Sequence, residues 1–221
     1  MNGTFRIALT ALTGLAACGA TPARAEIIGS ADNGFIVREV TEVSAPPAEA
    51  WKALVRPADW WNGEHTFSGS AKNLTLDPAV GGCFCETLAP SDKVKGPDGK
   101  DLGPGGVQHM RVIYTLPGEA LRLSGALGPL QSEGLAATLT ITLKPLGEKG
   151  DKRTRITWHY VVGGYMRFKT AEIAPAVDRV LGEQAGGLAR LLGPLAPAPA
   201  SAGDPAKPGP GPAPDKLPAG R

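Results

Sequence analysis

The chain has 221 residues, a formal net charge of +2 and 42% apolar residues, the composition of a globular protein rather than of a disordered chain or a multi-span membrane protein. Charged residues make up 20% with the two signs mixed. No basic stripe exists to follow a phosphate backbone, which argues against nucleic acid as a partner.

Arg6 precedes an uncharged, mostly apolar run from Ile7 to Ala17, and Ala23-Arg24-Ala25 stands before Glu26. A basic start, a short apolar run and an A-x-A site read as a signal peptide over residues 1–25, so a periplasmic or secreted protein is expected. The run of about eleven residues is well short of the roughly 20 that span a bilayer. Leu15-Ala16-Ala17-Cys18-Gly19 also fits a lipobox, in which lipidated Cys18 becomes the new N-terminus and the protein's link to a membrane. Both processing routes stay open. Residues 26–34 read as a short linker.

Phe35 to Val43 alternates polar and β-branched residues, which predicts a strand with one wet face. Ala45-Pro46-Pro47-Ala48-Glu49 then opens a helix, since proline suits a first turn and an acidic side chain suits the positive end of the dipole. Trp51, Leu54 and Val55 are expected to form its buried face. After a second helical turn at 57–61, strands are predicted at 73–76, 83–88, 107–116, 120–126, 137–143 and 155–162. The separators GPDGKDLGPGG and LGEKGDKR are loop chemistry. Strict alternation in Thr138-Leu139-Thr140-Ile141-Thr142-Leu143 marks an antiparallel sheet with a dry and a wet side.

A final helix is predicted from Pro175, with Val177, Val180, Leu181, Gln184, Leu188 and Leu191 on one stripe that packs on the dry face. Gly182, Gly186 and Gly187 remove side-chain bulk from it and are read as leaving room. From Gly193 to Arg221 the chain is rich in Pro, Ala and Gly without an aromatic residue, which predicts an extended, solvated tail.

The order of these elements, with the local runs Ala45-Pro46-Pro47-Ala48-Glu49-Ala50-Trp51, Asp59-Trp60-Trp61 and Asp77-Pro78-Ala79-Val80-Gly81-Gly82-Cys83-Phe84, resembles the START-related (SRPBCC) helix-grip superfamily over residues 35–192. Within it the chain looks most like the bacterial homologues of the heat-shock protein 90 ATPase activator, grouped with polyketide cyclase-like proteins. The resemblance implies an α+β fold, an antiparallel sheet of about seven strands curled round the C-terminal helix with an apolar cavity between them. It implies a small apolar molecule as ligand, and it carries over no catalytic residue set. An export signal departs from the cytosolic relatives and speaks against a chaperone role.

Within that fold Trp60, Trp61, Phe84, Met110, Tyr114, Trp158 and Tyr160 are expected at one cavity, facing Val177, Leu181 and Gln184 of the helix. The same aromatic group also suits a plain core, and both readings stay open. Gln184 and Glu86 are the polar groups placed near the cavity. His109 alternates with Met110, and His159 with Trp158 and Tyr160, which puts both histidines on the outer side of the sheet. With His65, His109 and His159 scattered, no metal or cofactor is expected. Cys83 and Cys85 should point the same way with Cα atoms about 6.8 Å apart, a poor geometry for a disulfide, so they read as incidental.

The function expected is binding of a small apolar ligand. The alternatives are a cyclase- or hydrolase-like enzyme using Glu86, Tyr160 or His109 as acid-base group, and a protein-interaction module acting on a folding partner.

Overall fold

The structure, a computed structural model, describes residues 24–91, 94–148 and 151–195. Cys18, most of the leader and the tail beyond residue 195 lie outside the described residues.

Alternation in the sequence becomes a two-faced sheet. In β2 (Gly34–Val43) the residues Phe35, Val37 and Val43 are buried, in β7 (Leu135–Pro145) Ala137, Leu139, Ile141 and Leu143, and in β8 (Thr154–Gly164) Ile156, Trp158, Tyr160 and Val162. The threonines of β7 lie on the other face, as the pattern requires. With β3 (Leu74–Leu76), β4 (Cys83–Leu88), β5 (Gly105–Leu116) and β6 (Ala120–Ser124), these strands form one antiparallel sheet.

Among the described residues the sheet has eight strands, in the order β1-β2-β8-β7-β6-β5-β4-β3. The additional strand is β1 (Arg24–Ala31), which includes most of the stretch expected to be a linker. It pairs with β2 from Arg24 opposite Val40 to Ala31 opposite Gly34, closed by the two-residue turn Asp32-Asn33. Asp and Asn suit a chain reversal, although β1 itself has no strong alternation to announce it. The sheet is open, with β1 and β3 at its edges.

Helix α1 (Pro47–Leu54) buries Ala50, Ala53 and Leu54, whereas Trp51 and Val55 are half-buried. The long helix α2 (Thr170–Leu192) starts five residues ahead of the expected Pro175, which sits inside it. The Thr170 hydroxyl donates to the Asp32 carbonyl at 3.0 Å and anchors this early start on the β1–β2 turn. Proline at this position leaves the Ala171 carbonyl without its usual N–H partner, a local cost to the helix. At the other end the Ser44 N–H donates to the Gly193 carbonyl at 2.8 Å, and the Leu195 N–H to that of Glu42 at 2.8 Å. Both ends of α2 are thus tied to the β1–β2 hairpin.

Leu181 and Leu188 are buried on the face of α2 that meets the sheet, each worth about 1.5–3 kcal/mol of transfer free energy. Leu191, expected on the same stripe, is exposed. The helix glycines do not all make space. A Cβ on Gly187 would collide with the Trp60 carbonyl oxygen, so this glycine admits the Trp60 backbone. Trp60 in turn meets Trp158 edge-on, ring centroids 5.9 Å apart at 89°, and fills the middle of the interface between sheet and helix. An antiparallel sheet holding a long C-terminal helix in this way is an α+β helix-grip architecture.

Candidate functional site

The space the fold leaves open is a cavity of about 620 Å³ beside the N-terminal half of α2. One wall is helical, from Ile173, Ala176, Val177, Val180 and Leu181. A second is the segment Trp61 to Phe67. The loop from Leu127 to Ser132 and the ring of His109 complete it. Deeper in, between Trp60, Phe84, Leu139 and Trp158, only about 20 Å³ remains.

This arrangement divides the residues expected at the ligand. Trp61, Val177 and Leu181 line the cavity. Trp60, Phe84, Met110, Trp158 and Tyr160 are buried in the core, with Trp61 edge-on to Phe84 at 5.3 Å. Tyr160 touches the cavity indirectly: its hydroxyl accepts a hydrogen bond from the Leu127 N–H at 2.9 Å, and burial pushes its ionisation up to about 12. Gln184, fully buried, is occupied by protein groups. Its Oε1 accepts from the Asn62 N–H at 2.8 Å and its Nε2 donates to His65 Nδ1 at 2.8 Å, which fixes the 61–67 wall against the helix.

Two irregularities in β5 explain the departures from alternation. Phe84 pairs with Met110 but Cys85 with Gln108, so His109 is an extra residue in β5. At this bulge both His109 and Met110 turn inward, which corrects the expectation that His109 faces solvent. A second register shift between Val112 and Tyr114 turns Tyr114 out, where it pairs with Arg122, carries the Arg122 guanidinium over its ring at 5.5 Å, and lies away from the cavity. His159 does remain on the outer face, half-buried and paired across the sheet with Arg38 and Thr140.

Opposite the first bulge β4 is contracted. The Cα atoms of Cys83 and Cys85 are 5.3 Å apart, less than a fully extended strand gives, and the two form a disulfide. The expectation that the two thiols stay unpaired is corrected: opposite the bulge the strand is not fully extended, which brings them within bonding reach.

Inward rotation of His109 creates a buried pair that sequence patterning did not show. His109 Nε2 lies 3.0 Å from Glu86 Oε2, and the same carboxylate accepts from the backbone N–H groups of Phe67 and Ser68. Glu86 and His109 are 2% and 6% exposed. Burial opposes ionisation of Glu86, but the hydrogen bonds from Ser68, Phe67 and His109 outweigh it and hold the carboxyl below the ordinary range. An ionised carboxylate can only accept, so Nε2 of His109 carries the proton. Burial lowers the affinity of His109 for a second proton, against the pull of Glu86. The neutral ring is held between Phe84 and Phe67, at 5.1 and 5.9 Å, with Nδ1 making no hydrogen bond among the described residues.

A second buried carboxyl lies apart from the cavity. Glu39 is fully buried on the inner face of β2, and neither of its oxygens meets a hydrogen-bond partner among the described residues. Burial, with Asp178 of α2 nearby, pushes it up to about 8. Trp158 Nε1, on the residue directly across the sheet, is likewise unpartnered among those residues. Among the described residues no group of three or more His, Cys, Asp or Glu is placed to hold a metal ion. No helix among them is long and apolar enough to cross a membrane.

No family model matches the chain, and no curated protein matches it in sequence. Solved structures do resemble it. A point mutant of norcoclaurine synthase from Thalictrum flavum, in complex with a transition-state analogue, is 12% identical over 74% of this chain and 97% of its own, with a TM-score of 0.45. A Rhodobacter sphaeroides protein is 20% identical over 76% of this chain and 97% of its own, TM-score 0.42. A Rhizobium loti protein is 18% identical over 70% and 96%, TM-score 0.45.

Proposed function

We propose that the protein binds a small apolar molecule in the cavity between α2, the 61–67 segment and the 127–132 loop. The observation that carries this reading is a space of about 620 Å³, walled largely by apolar side chains, beside a core in which only about 20 Å³ is left. Pockets of this size and character suit small organic ligands. Val177, half-buried on the wall, gives the test. Wild type should bind an environment-sensitive apolar dye, and Val177→Trp should lose it while keeping its melting temperature. A wild type that never binds dye, or a mutant that binds it equally, overturns the reading.

Export belongs to the same proposal, to the periplasm or outside, with Glu26 or a lipidated Cys18 as the mature N-terminus. The Cys83–Cys85 disulfide supports it, because such bonds persist in oxidising compartments. Sequencing the native N-terminus tests it, and a cytoplasmic protein starting at Met1 would sink it.

A second reading, an enzyme of the cyclase or hydrolase kind, is favoured by the Glu86–His109 pair, whose histidine lines the cavity. Turnover of a ligand co-purified from the native source, lost in His109→Phe, would establish it.

A further inference from the structure

We propose that the cavity selects apolar molecules carrying a hydrogen-bond donor, such as a phenolic or enolic hydroxyl, which donates to Nδ1 of His109. This rests on the cavity being a ligand site. His109 is the member of the cavity wall contributed by the sheet, reaching it through the bulge in β5.

The polarity of Nδ1 is decided two bonds away. Two backbone N–H groups, from Phe67 and Ser68, fix the Glu86 carboxylate, and the carboxylate accepts a hydrogen bond from the Nε2–H of His109. The remaining nitrogen of a neutral imidazole then has a lone pair and no hydrogen. A ketone, ether or carboxylate placed there would set acceptor against acceptor. A hydroxyl would satisfy it.

The other titratable groups on the wall do not compete for this role. Glu64 is exposed, and His65 Nδ1 is occupied by Gln184. On the helical side Ile173, Val177, Val180 and Leu181 offer only apolar surface. The site therefore pairs a long apolar wall with a buried acceptor, and a flat aromatic skeleton with one hydroxyl matches both.

The test uses two fluorescent probes of nearly equal shape, 1-hydroxypyrene and 1-methoxypyrene, on the full mature protein at neutral pH. Wild type should bind the hydroxyl probe about tenfold more tightly, the size of one well-placed hydrogen bond in a dry site. His109→Phe should bring the two affinities together by weakening the hydroxyl probe alone. Glu86→Gln removes the charged acceptor that holds the ring proton on Nε2, so the preference for the hydroxyl probe should shrink. Circular dichroism checks that each variant is folded, and the wild-type ratio stands even if one is not. Equal binding of both probes by wild type, or a hydroxyl preference unchanged in His109→Phe, overturns the inference while leaving the cavity a ligand site. Binding of neither probe by wild type removes the inference together with the reading beneath it.

Discussion

Tyr160 in the middle of the sheet holds Leu127 on the rim of the cavity, by a 2.9 Å hydrogen bond from the Leu127 N–H to the phenol oxygen. Strand β8 is paired on both sides while residues 127–132 join no strand pairing, so this bond ties a wall of the cavity to the sheet. Tyr160→Phe leaves the N–H without its acceptor, and a loss of about 1–2 kcal/mol is expected. Hydrogen exchange should show the change confined to the 127–132 loop, which denaturant melts alone would not resolve.

Glu39 makes stability fall as pH rises. Its folded value is about 8 against an ordinary 4.5, so between those limits the folded state keeps a proton that the unfolded state releases. The contribution is fully present below about 4.5 and lost by about 8. Melting temperatures measured across this window should decline for wild type and decline less for Glu39→Gln, which should be the more stable protein at the alkaline end. Parallel profiles would show that Glu39 is hydrated and ionised.

Glu86 has the opposite sign. Its folded carboxyl is held below the ordinary 4.5, so its contribution is present above that value and is lost as pH falls through the lower folded one. Glu86→Ala leaves the Phe67 and Ser68 N–H groups and His109 Nε2 without their shared acceptor. The expected cost is at least about 2–3 kcal/mol at neutral pH in a urea melt, with a smaller difference from wild type in acid.

The Cys83–Cys85 bond closes the shortest of loops, with a sequence separation of 2. Loop-closure entropy grows with loop length, so this crosslink restrains the unfolded chain little. Replacing both cysteines by serine should shift the denaturation midpoint only slightly. A large loss would mean that the bond supports the geometry of β4 and, through it, the placement of Glu86.

The limits of sequence reading fall at β5. Regular strands were legible because period-two alternation is imposed by the pleat: the leucines, isoleucine and threonines of β7 lie on the faces their spacing requires. Alternation assumes one residue for each residue opposite, and β5 breaks that count twice. The first extra residue turns His109 in and the second turns Tyr114 out, so the site lost an expected aromatic and acquired a histidine. No local residue pattern marks either position. Trp61, Val177 and Leu181 were legible as cavity residues because helix periodicity and a loop aromatic do not depend on register. Gln184 is buried on the stripe its spacing marks, but its partners Asn62 and His65 lie more than a hundred residues away in the chain.

Strand β1 turns the choice between the two maturation routes into a structural matter. Ala25 pairs with Glu39, and the A-x-A cleavage bond follows it directly. Cleavage there would take away the residue opposite a buried carboxyl and put a positively charged chain end, the α-amino group of Glu26, in its place. Lipidation at Cys18 would leave that pairing intact and hang the domain from the membrane by its edge strand. The proposed cleavage would give a free domain with a new charge at its margin, and the proposed lipidation a tethered domain whose margin is unchanged.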